Sequence, residues 1–196
     1  QSSVALTNFC RKVIAIEPSK EMLQKTIKHP SITYSYYNKK QFNFSDDHFD
    51  IITFAGSLYY AKSQILLDEV VRVTKRYSKI IIYDFELSMD VILEKLNLGS
   101  ASKQKPSYDH EVNFDELNEV HIKAVKQFKI NLSSEISIPN LSHLLLSSKD
   151  NYHLLLKSLG EENLYNKLSQ KLYSAFKNEK ILIDTAIYST VYQNIK

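Results

Sequence analysis

The sequence predicts an α/β fold: a Rossmann-like, mostly parallel sheet with helices on both faces and an antiparallel C-terminal strand pair. Three observations point there. Short apolar runs, "KVIAI", "SITYSYY", "FDIITFAG" and "KIIIYDF", recur between helical patterns up to residue 85, and strands alternating with single helices imply right-handed crossovers and a parallel sheet. "KVIAI" is continuously apolar, as a strand buried on both faces requires. Later, "QFKINLSSEISI" and "KILIDTAIYSTVYQ" are strands separated by a helical stretch. They are expected at the far edge of the sheet, antiparallel to each other or to their neighbour.

At 196 residues the chain is expected to form one domain, 1–196, with 86–124 and 139–178 as helical insertions. No apolar run approaches the ~20 residues that cross a bilayer, so no membrane partner is expected. The net charge of +3 comes from scattered lysines set against nearly as many acids, which speaks against a nucleic-acid partner. A single cysteine, Cys10, fits a reducing compartment. With no signal segment at the start, the cytoplasm is the expected location. Cys10 itself is placed on a buried helix end, as a structural thiol.

Residues 2–9 read as the last turns of a helix, followed by the strand Lys12–Ile16. Ser19 is an N-cap candidate for a helix carrying Met22, Leu23 and Ile27 on one stripe, stopped by His29-Pro30. Strands are expected at 31–37 and 49–56, the second closed by Gly56. Leu66, Val70, Val73 and Tyr77 share a stripe, so a helix is predicted over 62–77, with Asp68 placed to pair with Arg72. A fourth strand covers 79–85. Beyond it come a helical piece at 88–98, a polar loop at 99–114 and a helix from Asp115 onward. Residues 127–138 alternate cleanly, a half-exposed strand with Phe128, Ile130, Leu132, Ile136 and Ile138 on its buried face. Two helices follow, one ending at Gly160 and one carrying Leu164, Leu168, Leu172 and Phe176; the strand 180–193 closes the chain.

Glu17 stands at the C-terminal tip of a parallel strand, where open α/β sheets bind ligands. Its two oxygens suit a grip on a pair of hydroxyls; a solvated acid ahead of a helix N-terminus is the alternative. No histidine pair stands at metal-ligand spacing, and no metal is expected. "YDHE" at 108–111 and "SDDHFD" at 45–50 read as solvated loop and turn.

In order, "VIAIEPSKEML", "NFSDDHFDIITFAGSLYY" and "LLDEVVRVTKRYSKIIIYDF" resemble the class I S-adenosylmethionine-dependent methyltransferases, in particular the small-molecule group that includes trans-aconitate methyltransferase. The resemblance covers residues 1–85 well and the rest loosely. It implies S-adenosylmethionine as cofactor, with Glu17 on its ribose, Asn38 and Lys39 beside the adenine, and Ala55 and Gly56 facing the methionine portion. Tyr59 and Tyr60 then stand beside the reactive methyl, and with Tyr83 and Tyr152 line the pocket of a small-molecule acceptor, under the insertions. Plain packing is the alternative for the Tyr59–Tyr60 pair. No general base is named; a carboxylate or thiolate acceptor needs none. A homodimer stays open.

The family's first strand and its glycine-rich loop have no counterpart in these residues, which hold three glycines in all. That strand lies mid-sheet, so upstream sequence, or a fragment, is expected. "KRYS" at 75–78 stands where relatives have a Lys-Pro-Gly-Gly turn, a change expected to alter loop geometry alone. Two other readings remain. A non-catalytic methyltransferase-like module would bind or dimerise without transferring a methyl, and a nicotinamide-dinucleotide domain would also use Glu17 on a ribose. The antiparallel late strands argue against the second.

Overall fold

A computed structural model describes residues 2–37, 42–98 and 108–196. Six strands are seen: β1 (Val13–Glu17), β2 (Ile32–Tyr36), β3 (Phe49–Ala55), β4 (Thr74–Leu87), β5 (Ile122–Ser137) and β6 (Lys180–Asn194). They alternate with α1 (Ser2–Leu6), α2 (Lys20–Gln24), α3 (Gln64–Val73), α4 (Asp90–Lys95), α5 (Ile138–Ser147), α6 (Lys149–Leu159) and α7 (Leu164–Phe176). β1 and β2 form a two-stranded sheet, and the other four are ordered β3-β4-β6-β5.

Strand directions follow from the contacts. β1 and β2 are parallel, with Val13 opposite Ile32 and Glu17 opposite Tyr36. On the way into β3 and β4, Asp47 N–H donates to Arg72 O, His48 N–H to Val73 O, and Lys75 pairs with Asp50; the numbers rise together, so these strands are parallel. β5 and β6 run oppositely, since Lys129 meets Tyr188, Ser133 meets Asp184 and Glu135 meets Lys180. β6 opposes β4 in the same way, through Gln193 to Tyr77 and Tyr188 to Glu86. The mixed, mostly parallel arrangement with an antiparallel C-terminal pair is the one the sequence predicts.

By contacts the chain divides into two compact units, Gln1–Ile82 with Val112–Lys126 and Thr190–Lys196, and Tyr83–Glu111 with Gln127–Ser189. The first is built on Leu66, Leu67, Val70 and Val73 of α3 packed with Phe54, Ile80, Ile82, Phe114 and Tyr192. The second is a helical core in which Leu141 and Leu145 of α5, Leu155 of α6 and Leu168 and Leu172 of α7 pack with Leu93, Ile181 and Ile183.

Several local expectations are corrected. α3 ends at Val73, not Tyr77, and "KRYS" is not a turn: β4 begins at Thr74 with no loop between. The cause is tertiary. Thr74 Oγ1 bonds Val70 O, the Asn194 amide donates to Val71 O and Thr74 O, and the Lys196 ammonium donates to Val71 O and Arg72 O. These partners satisfy the carbonyls a helix end leaves open. Tyr77 then lies in β4 at φ +65° and is exposed. Arg72 pairs with Glu69 and Asp46, while Asp68 accepts from Gln64.

No helix forms at Asp115. Asn113 Oδ1 accepts the Asp115 N–H, Phe114 N–H donates to the Tyr192 hydroxyl, and Glu116 takes φ +72°, a clasp incompatible with a helical turn. Burial of the Tyr192 hydroxyl pushes its pKa up. β1 is not buried on both faces, for among the described residues it has one hydrogen-bonded neighbour and Ile16 is exposed. α2 is a short helix capped by Ser19 Oγ, with Met22 and Ile27 exposed. Ile130 and Leu132 of β5 are exposed as well, since that strand lies at the sheet edge. Cys10 is half-buried beyond α1, which has no buried residue.

Candidate functional site

The first unit presents the ends of two strands. Glu17 closes β1, and its Oε1 accepts the Ser19 N–H at 2.9 Å while its carbonyl accepts the Tyr37 N–H at 3.1 Å. One carboxylate oxygen is thus turned onto the start of α2, where the helix dipole favours negative charge; a carboxylate has about four lone-pair directions, so capacity for a ligand hydroxyl is left. Ala55 closes β3 and Gly56 follows at φ +64°, a backbone state that a Cβ strains. A single 3₁₀ turn, Leu58–Tyr60, comes next, its Leu58 buried. Tyr59 and Tyr60 meet edge-to-face at 5.3 Å, and Tyr60 is 75% exposed. Asn38 and Lys39 lie outside the described residues.

Ahead of β3 an ion-pair hub holds residues 42–46 against the end of α3. The Arg72 guanidinium donates from Nε and Nη2 to Glu69, from Nη1 to Asp46 and Phe44 O, and from Nη2 to Phe42 O. Hydrogen bonding to Arg72 holds the Glu69 carboxyl below its ordinary value, and hydrogen bonding to Glu69 and Asp46 raises the Arg72 value. The hub anchors residues 42–46 on α3. A cavity of about 250 Å³ opens elsewhere in this unit, lined by Leu67, Asp68, Val71, Asn118, Glu119, His121 and Ile122. Burial, then the Asp115 charge, pushes the Glu119 carboxyl up. None of the cofactor or acceptor residues expected from the sequence lines it.

In the second unit Tyr83 is half-buried in β4, and Tyr152, on α6, meets His153 edge-to-face at 6.0 Å. This unit also holds a constellation that sequence reasoning missed. Asp84, near the end of β4, is buried, and its Oδ2 accepts from the Tyr108 hydroxyl at 2.7 Å and from His110 Nδ1 at 3.2 Å. Its Oδ1 accepts the Phe85 N–H at 2.8 Å. The "YDHE" segment, read from the sequence as a solvated loop, is therefore fastened to a strand. An acid inside the apolar run "KIIIYDF" was the signal that could have found it, because a buried carboxylate demands partners.

Residues 1–82 match a family model described as a methyltransferase domain. Among solved structures, a candidate type II methyltransferase from Anaeromyxobacter dehalogenans is similar with a TM-score of 0.72 at 13% identity, over 100% of this chain and 85% of that one. The YcgJ protein of Bacillus subtilis is similar with a TM-score of 0.52 at 17% identity, over 100% and 87%. A candidate methyltransferase from an antibiotic biosynthesis pathway of Anabaena variabilis gives 0.51 at 16%, over 98% and 85%. At such identities the likeness speaks to the fold. A comparison with curated proteins returned no match. The match over residues 1–82 and the fold shared with these structures support a methyltransferase.

Proposed function

We propose that the protein transfers a methyl group from S-adenosylmethionine to a small-molecule acceptor, in the manner of the small-molecule group that includes trans-aconitate methyltransferase. The observation that carries this reading is the methyltransferase-domain match over the residues that hold Glu17, Ala55 and Gly56. Those residues fit the cofactor: Glu17 has acceptor capacity left after the Ser19 bond, and Ala55 and Gly56 keep a strand end free of bulk. When bound, S-adenosylmethionine supplies a methyl carbon already activated by its sulfonium.

The chain's own work in this reading is positioning and the exclusion of water. Glu17 accepts from the ribose hydroxyls. Asn38 and Lys39 are assigned to the adenine. Ala55 and Gly56 take the methionine portion, and the ring faces of Tyr59 and Tyr60 attract a cationic centre. Tyr83 and Tyr152 are assigned to the acceptor. Among the described residues β1 and β2 form a sheet of their own beside the order β3-β4-β6-β5 in the other sheet, and this reading assigns to the protein one further strand, bearing the glycine-rich loop that these assignments lack. A cytoplasmic location goes with this reading, and no helix among the described residues is long and apolar enough to cross a membrane.

Calorimetry of the full-length protein with S-adenosylhomocysteine and, separately, NAD tests the proposal. Binding of the first and not the second is expected. Binding of NAD alone would move the protein to the dinucleotide enzymes, and binding of neither would leave a non-catalytic module.

A further inference from the structure

β5 lies at the edge of its sheet, with β6 as its one hydrogen-bonded neighbour among the described residues. The strand runs 16 residues, and every residue from Lys129 to Glu135 is exposed. A long edge of this kind presents a row of backbone donors and acceptors to any other strand, and natural sheets blunt it with short length, proline or a bulge. Residues 127–137, all in the second unit, contain no proline. They carry two charges, Lys129 and Glu135.

Lys129, Ser133 and Glu135 share one face, for they meet Tyr188, Asp184 and Lys180 of β6, and alternation puts Asn131 with them. Ile130, Leu132 and Ser134 take the other face, where Ile130 is 45% and Leu132 46% exposed. The order of these residues is self-complementary. When the strand is laid antiparallel against a second copy about a two-fold axis at Leu132, each Lys129 stands directly opposite Glu135 of the other copy. Asn131 then faces Ser133, and Leu132 faces its own equivalent with Ile130 on the diagonal, within reach of apolar contact. Moving the axis to Asn131 or Ser133 sets no charge directly opposite another. The charges therefore specify the register, while the backbone ladder and the apolar face supply the association.

We propose that the protein forms a homodimer by antiparallel pairing of β5 with β5 of a second copy, centred on Leu132, so that the sheet continues across the two-fold axis. Such an interface uses the same patch on both copies, as the order of these residues requires. Lys129 keeps its place over the Tyr188 ring, and Glu135 its bond to Lys180. Each Glu135 then lies between Lys180 of its own chain and Lys129 of the second copy. The proposal is independent of the methyl-transfer reading, since none of these residues is assigned to cofactor or acceptor.

Sedimentation of the full-length protein at micromolar concentration tests this, and a dimer is expected. Lys129→Glu and Glu135→Lys each put like charges opposite one another, and each alone is expected to weaken the dimer about ten-fold or more. An equimolar mixture of the two variants restores opposite charges at both positions, so a heterodimer is expected where neither variant associates by itself. A monomeric wild type, a dimer that either variant leaves intact, or a mixture that fails to associate overturns the proposal. Cross-linking reads the register without altering a charge, and so decides the matter should a charge variant fold poorly. With the single native cysteine removed by Cys10→Ser, Leu132→Cys is expected to form an intermolecular disulfide under mild oxidation, because only directly opposed residues come within bridging distance. Cross-linking through Asn131→Cys or Ser133→Cys instead, or through none of the three, overturns the pairing centred on Leu132.

Discussion

The run Val13–Ile16 in β1 and the run Ile80–Ile82 in β4 are alike in composition, but they end in different surroundings. β4 lies between β3 and β6, and Ile80 and Ile82 are buried; among the described residues β1 pairs with β2 alone, and Ile16 is 39% exposed. The flanking polar contacts differ in the same direction. Beside β4 the Arg72 hub gathers two carboxylates and two carbonyls. Beside β1 stands an exposed Glu21–Lys25 pair at helical spacing. An apolar run thus states that a strand can be buried, while the number of sheet neighbours decides whether it is.

Removing the hub should have the largest effect. Arg72→Ala strands Glu69, whose side chain is only 14% exposed, and removes at one stroke the hydrogen bonds to Asp46, Phe42 O and Phe44 O, a loss read as a lower urea midpoint. Lys25→Ala, which breaks an exposed pair, should move the midpoint within error. The same hub sets a pH dependence. Because the Glu69 value is depressed in the folded state, its contribution is present above the unfolded carboxyl value and is lost as pH falls through the folded one. Acid should therefore destabilise the wild type in that window more than Arg72→Ala.

Next in size is the direct contrast of the two strands. Ile80→Ala, at a fully buried site, should cost about 2–5 kcal/mol. Ile16→Ala should cost less, since 39% of its surface stays in water in the folded chain. Equal costs in the full-length protein would mean that β1 has a cover, as the further strand of the proposed reading would provide. Smallest is Tyr77→Gly: releasing a bulky residue from φ +65° gains about 1 kcal/mol, offset by a similar chain-entropy cost. A melting temperature close to wild type is expected, and a large loss would show that the Tyr77 ring packs more than its exposure suggests.

The same contrast shows what the sequence could say. β1 to β4, α6, α7 and β6 are legible because apolar runs and leucine stripes are local signals, and Ser19 and Gly160 cap their helices as their chemistry implies. The end of α3 is not legible, because Asn194 and Lys196, more than 120 residues away, satisfy its carbonyls. The absent helix at Asp115 depends likewise on Tyr192. Of the candidate site, the strand-end residues Glu17, Ala55 and Gly56 stand where alternation places them. The His110–Asp84 pair joins a loop to a strand across 26 positions, and no spacing rule links two such residues.

Glu17 is proposed as a ligand-holding carboxylate rather than a local acceptor for the Ser19 N–H. S-Adenosylhomocysteine affinity of the full-length protein, measured by calorimetry beside Glu17→Ala and Ser19→Ala, separates the two. Loss of hydrogen bonds to a charged group predicts that Glu17→Ala weakens binding by about 1–3 kcal/mol, with Ser19→Ala near wild type. Equal, small effects from both variants would contradict it and return Glu17 to the local turn.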